Sequence, residues 1–147
     1  MKQPPIAKVY EALTAIASNR IELKDTKALV YSSDGKKSYK VEWYENQYSS
    51  NDNATFWQGY PGYPVIAVLL SQEKIPYNKD LVPYLKDINW HELNEKYKRK
   101  YDEAIAYVLD SLDEKIKEAI VQDVQQIYDA LLKMNLVIVK KINRSSN

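Results

Sequence analysis

Apolar residues recur at intervals of three and four through Ile6, Val9, Tyr10, Leu13, Ile16 and Ala17, the repeat that gathers side chains on one face of an α-helix. Pro5 stands near the first turn, where its missing N–H leaves nothing unsatisfied. The spacing therefore predicts an amphipathic helix over residues 5–19. The period then shortens to two. Lys27 to Ser32 and Ser38 to Tyr44 read as β-type runs flanking Ser33-Asp34-Gly35-Lys36-Lys37, and Asp-Gly suits a tight hairpin turn. This predicts a β-hairpin over 27–44, with Tyr39, Val41 and Trp43 on one face and Lys40, Glu42 and Tyr44 on the other.

Residues 45–53 are rich in Asn, Ser and Asp and read as an exposed loop. They lead into the corner Phe56-Trp57-Gln58-Gly59-Tyr60-Pro61-Gly62-Tyr63. After it, Val65 to Leu70 are apolar all round, so a short helix over 64–71 is expected at the centre of the core, with a strand as the competing assignment. Helices are also predicted over 79–88, 89–111 and 113–134. Asn89 is placed as a cap, and Ser111-Leu112-Asp113-Glu114 as a capping box that breaks the last two apart. The β-branched run at 136–142 suits a strand added to the hairpin. The fold class is α+β in one domain, 1–147: a small antiparallel hairpin or sheet packed with a mostly helical core that includes two long antiparallel C-terminal helices.

Composition narrows the function classes. There is no cysteine, which excludes disulfides, thiol catalysis and cysteine-held metals, and which fits a cytoplasmic address. No apolar run approaches the roughly 20 residues of a membrane span, and the first residues lack the apolar stretch of a signal peptide, so a soluble protein without membrane association is expected. Basic and acidic residues nearly cancel, 21 against 20, so no global field draws the chain to nucleic acid.

Candidate chemistry is sparse. The one histidine, His91, lies a helical turn from Glu95, but a zinc site wants three or four ligands; no metal and no cofactor is expected. Acids alternate with bases on helix faces, as on solvated surfaces. Eight of the 17 aromatic residues (3 Trp, 13 Tyr, 1 Phe) fall between Tyr39 and Tyr63, with two of the 3 glycines. Tyr48, Trp57, Tyr60 and Tyr63 are accordingly the candidate surface for a ligand or partner. A second candidate is basic: Lys96, Lys98, Arg99 and Lys100 with Lys140 and Lys141 of the tail. A third is an apolar arc on the last helix, where Val121, Tyr128 and Leu132 widen the stripe from Ile116 to Met134 and invite a homodimer. The leading reading is a non-enzymatic, self-associating interaction protein with an aromatic surface around 56–63. The alternative is a nucleic-acid-binding protein using the basic residues, and a weaker one a small enzyme with a carboxylate acid in an aromatic-lined pocket.

Overall fold

Helix α1 (Ala7–Ala17) sits inside its predicted span, and its end has a local cause. Asn19 takes a left-handed backbone, φ 55°. The amides of Asn19 and Arg20 then donate to the carbonyls of Ile16 and Ala15 at 3.1 and 3.0 Å, satisfying oxygens that a helix end leaves open. The computed structural model, which describes residues 1–145, repeats this device after α2 (Tyr63–Ser71) and α3 (Trp90–Lys96), with Glu73 and Lys98 at φ 59° and 52°. In α3 the amides of Lys98 and Arg99 donate to Glu95 and Asn94 at 3.1 and 2.7 Å. None of these stops uses glycine, the residue that accepts positive φ without strain.

The stop at Lys98 corrects the predicted helix over 89–111. It is split into α3 and α4 (Tyr101–Leu109), so the apolar residues from Leu93 to Leu109 do not lie on one cylinder. Two long C-terminal helices do not form either: α4 has 9 residues and only α5 (Glu114–Lys133), with 20, is long. Its start is where the sequence placed it, but the capping box is not made. Ser111 Oγ donates instead to the Val108 carbonyl at 2.6 Å, and Asp113 makes no capping bond. Asn89 does cap α3, accepting from the Glu92 amide at 3.1 Å. The helix predicted at 79–88 reduces to one 3₁₀ turn, Val82–Leu85, with Pro83 in its opening positions, where the missing N–H is harmless.

Five strands form one sheet in chain order: β1 (Ile21–Leu23), β2 (Lys27–Tyr31), β3 (Ser38–Tyr44), β4 (Gln47–Ser50) and β5 (Val137–Ile138). The β2–β3 hairpin pairs Ala28 with Val41 and Tyr31 with Ser38. Its turn is wider than Asp-Gly alone suggests: the Ser32 amide meets the Lys37 carbonyl, and only Gly35 has positive φ, 73°. Strand β4 corrects the exposed loop expected at 45–53. Tyr44 pairs with Gln47 across a two-residue turn whose first residue, Glu45, has φ 55°. Neither residue of that turn is glycine, and the strand's serines, Ser49 and Ser50, are buried although they are polar. Strand β5 is shorter than 136–142 and pairs in parallel with β4, not with the hairpin.

Helix α2 is the centre of the core, as expected: Val65 to Leu70 are all fully buried. It touches β1, β3 and β4 on one side and α1 on the other, and α1 in turn meets α4 and α5. Nearly all of α1 is therefore enclosed, which explains its alanines. Among the described residues no helix is long and apolar enough to cross a membrane.

Candidate functional site

Where the N-terminal half of α1, the β2–β3 turn, the end of β4 and α3 come together, they leave a cleft of about 410 Å³, within the range of small-ligand sites, about 300–1,000 Å³. Each wall is held by an identifiable local interaction. Lys8 and Glu11, the only charged residues of α1, face it one turn apart. Arg20 is delivered by the reversed bonds that end α1, and its Nη1 donates to the Tyr31 carbonyl at 2.5 Å. Trp90 closes the opposite side, its indole Nε1 donating to the buried Thr14 Oγ1 at 2.8 Å and so fastening α3 to α1.

Asp52 follows β4 and opens a single π-helical turn over Ala54–Gln58, a rare irregularity that recurs at functional sites. Asp52 Oδ2 accepts from the Thr55 amide at 3.1 Å, and Thr55 Oγ1 accepts from the Gly62 amide at 2.9 Å. Gly62 is extended, not left-handed, with φ −76°. Its value is space, since a Cβ there would overlap Asp52 Oδ2 and come within 3.1 Å of Thr55 Oγ1. The other oxygen, Asp52 Oδ1, is buried without a hydrogen-bond partner among the described residues, on a residue only 6% exposed. Leaving such an acceptor unpaired costs on the order of 1–3 kcal/mol.

Glu11 Oε2 has Lys8 Nζ at 3.2 Å, yet not aligned as a hydrogen bond, so the charge is countered while the lone pairs stay open. Burial pushes the Glu11 carboxyl above its ordinary 4.5, against the pull of Lys8 and with a smaller push from Asp52. For Lys8, burial acts downward, but the Glu11 charge and contact hold it above 10.5. Tyr63 and Tyr39 complete an aromatic side, edge to face at 6.1 Å, and burial raises both phenols.

The four aromatic candidates are not one surface. Tyr63 lines the cleft. Trp57 is 69% exposed and packs edge-on with Phe56 at 4.8 Å, while Lys140 Nζ lies 5.1 and 5.0 Å from the two rings. Tyr60 is half-buried with Lys2 over its ring at 5.8 Å. Tyr48 must be withdrawn as a surface residue: it is 1% exposed, stacked on Trp43, with its hydroxyl donating to Gln72 Oε1 and accepting from Lys74 Nζ, both at 2.8 Å. Trp43 and the residues that follow α2 cover its ring and hydroxyl.

The basic candidates are likewise divided. Lys96 is on α3 beside Tyr97 and Tyr107, at 5.6 and 5.1 Å from their rings. Lys98, Arg99 and Lys100 form the turn after it, where Arg99 lines the cleft. Lys140 is engaged with the aromatic corner, and Lys141 is exposed beside it in sequence. On α5, Val121 is 44% exposed, Leu132 is half-buried, and Tyr128 donates to the Pro4 carbonyl at 2.8 Å, so the N-terminal segment covers part of the arc. His91 and Glu95 pair at 3.2 Å on the surface.

Lys8, Glu11, Arg20 and Asp52 were missed by the sequence reading. One signal existed: an otherwise uncharged helix with Lys8 and Glu11 three apart marks where α1 escapes the core. Asp52 carried none, because Asp before Asn is ordinary loop composition. The family model described as "Uncharacterised conserved protein UCP014422" matches residues 1–137. No curated protein and no solved structure matches the chain.

Proposed function

The chain belongs to that family, and from this premise we propose that it is a non-enzymatic binding protein whose recognition site is the cleft between α1, the β2–β3 turn and α3. The observation that carries the reading is Asp52: a carboxylate held in place through one oxygen, with the other buried, unpaired and on the wall of a ligand-sized space. A fold keeps such an acceptor when something else completes it. The cleft also assembles the carboxylates and aromatics that the alternative of a small enzyme with a carboxylate acid needs. Binding is favoured over catalysis because the Thr55 amide fixes Asp52 through Oδ2 and Lys8 stands 3.2 Å from Glu11, an arrangement that holds both carboxyls in place as acceptors for a ligand. Ligand-observed NMR against a library of small polar compounds tests the reading, with Ser33→Trp, at the half-buried start of the β2–β3 turn on the cleft wall, as the blocked control. Compounds should bind the native chain and lose that binding in the variant. No binder, or binders indifferent to Ser33→Trp, would remove the cleft as the site.

Self-association is a second reading, supported by a separate observation. A groove of about 270 Å³ between α4, α5 and the start of α1 is lined by Ile6, Ile105, Leu109 and the exposed Val121, and a twofold partner presenting the same face would cover it.

A further inference from the structure

We propose that the cleft takes a small zwitterion, its primary ammonium seated against Asp52 and Glu11 and its anionic group facing Lys37 and Arg99. This rests on the binding reading above and names the ligand's chemistry. The argument is an asymmetry between floor and mouth. On the floor the bases are committed and an acid is open: Lys8 faces Glu11 at 3.2 Å and Arg20 donates to Tyr31, whereas Asp52 Oδ1 has no partner among the described residues. At the mouth the order reverses. Asp34 accepts from Ser32 Oγ and the Lys36 amide at 2.7 and 2.9 Å, and Glu95 is paired with His91. Lys37 and Arg99 line the same cleft, and the ion pairs found among the described residues include neither.

An ammonium suits the floor because it brings three donors and no acceptor. It can meet Asp52 Oδ1 and the open lone pairs of Glu11 together, and its charge offsets the burial of a carboxylate, which a neutral hydroxyl does not. A divalent cation is disfavoured by Lys8 and Arg20 beside the same carboxylates, and it would want more oxygen ligands than two side chains offer. Arg99 presents a planar fork suited to a carboxylate or phosphate. With opposite signs at the two ends, a compound carrying both charges fits in one direction only.

Titration calorimetry with butylamine, butyrate and 4-aminobutyrate, extended to shorter and longer ω-amino acids, tests the assignment. The zwitterion of matching length should bind more tightly than either singly charged probe. Asp52→Asn keeps an oxygen for the Thr55 amide and should weaken the zwitterion and butylamine alike, by about tenfold or more. The double variant Lys37→Ala/Arg99→Ala, on exposed side chains, should erase only the zwitterion's advantage over butylamine; it serves as the second arm if Asp52→Asn fails to fold. Butyrate binding in the cleft without the amines would overturn the assignment and leave the binding reading standing. No heat from any probe, together with a polar-compound library that also finds nothing blocked by Ser33→Trp, would overturn both.

Discussion

At the scale of single residues, Gly62 and Asp52 form one unit, and their coupling can be measured. A Cβ at Gly62 would overlap the Asp52 carboxylate, so Gly62→Ala should cost about 1–3 kcal/mol as overpacking. Most of that cost should vanish when Asp52 is already Ala, and urea midpoints of the two singles and the double give the interaction directly. Additive losses would mean that the close approach is not what makes glycine necessary there. Glu11 yields a different test. Because burial raises its folded pKa above 4.5, its contribution to stability is complete below that value and is lost as pH rises through the elevated one. The stability of the native chain relative to Glu11→Gln should therefore decline from pH 4.5 toward neutrality. A difference that grows with pH would show the Lys8 ion pair outweighing the burial.

At the scale of elements, helix endings decide the architecture. Three helices stop at left-handed Asn19, Glu73 and Lys98, and for non-glycine residues that conformation costs about 1–2 kcal/mol. Lys98 is exposed, so Lys98→Gly should relieve the strain and raise stability by up to about 1 kcal/mol, less the added freedom of glycine when unfolded. A thermal or urea melt decides it. If Lys98→Gly destabilises instead, α3 and α4 are held apart by packing around Trp90 and not by the turn. The same endings explain what the sequence concealed. A glycine after Tyr97 would have announced the break; a lysine inside Lys96-Tyr97-Lys98-Arg99-Lys100 reads as helix. The loop assigned to 45–53 failed for a parallel reason, since Glu45 makes the positive-φ turn that Gly or Asn usually marks.

At the scale of the whole molecule, the open question is what covers the α4–α5 face. If a second copy does, sedimentation at micromolar concentration should give twice the 17.1 kDa chain mass, and charge placed at Val121 and Leu132 should restore the single-chain mass without unfolding the chain. A chain that stays at its own mass throughout would end the self-association reading while leaving the cleft untouched, because the groove that holds Val121 and the cleft share no lining residue.

What the sequence by itself determined is whatever follows from periodicity. The apolar repeat of α1, the all-round apolar run of α2, the alternating β3 and the stripe of α5 from Ile120 to Leu131 are statements about which face must leave water, and burial of those faces is local enough to be read from spacing. Only the tertiary structure decided the rest. Whether Tyr48 would be surface or core depended on the segment after α2 folding over it, whose Gln72 and Lys74 meet its hydroxyl from 24 and 26 residues away. The cleft depended on more: Glu11 comes from α1, Arg20 from the connection after it and Asp52 from the segment after β4, and each alone reads as an ordinary surface or loop residue. Their meaning comes from shared burial, in which a carboxylate loses water without gaining a donor, and that condition exists only once the chain has folded around it.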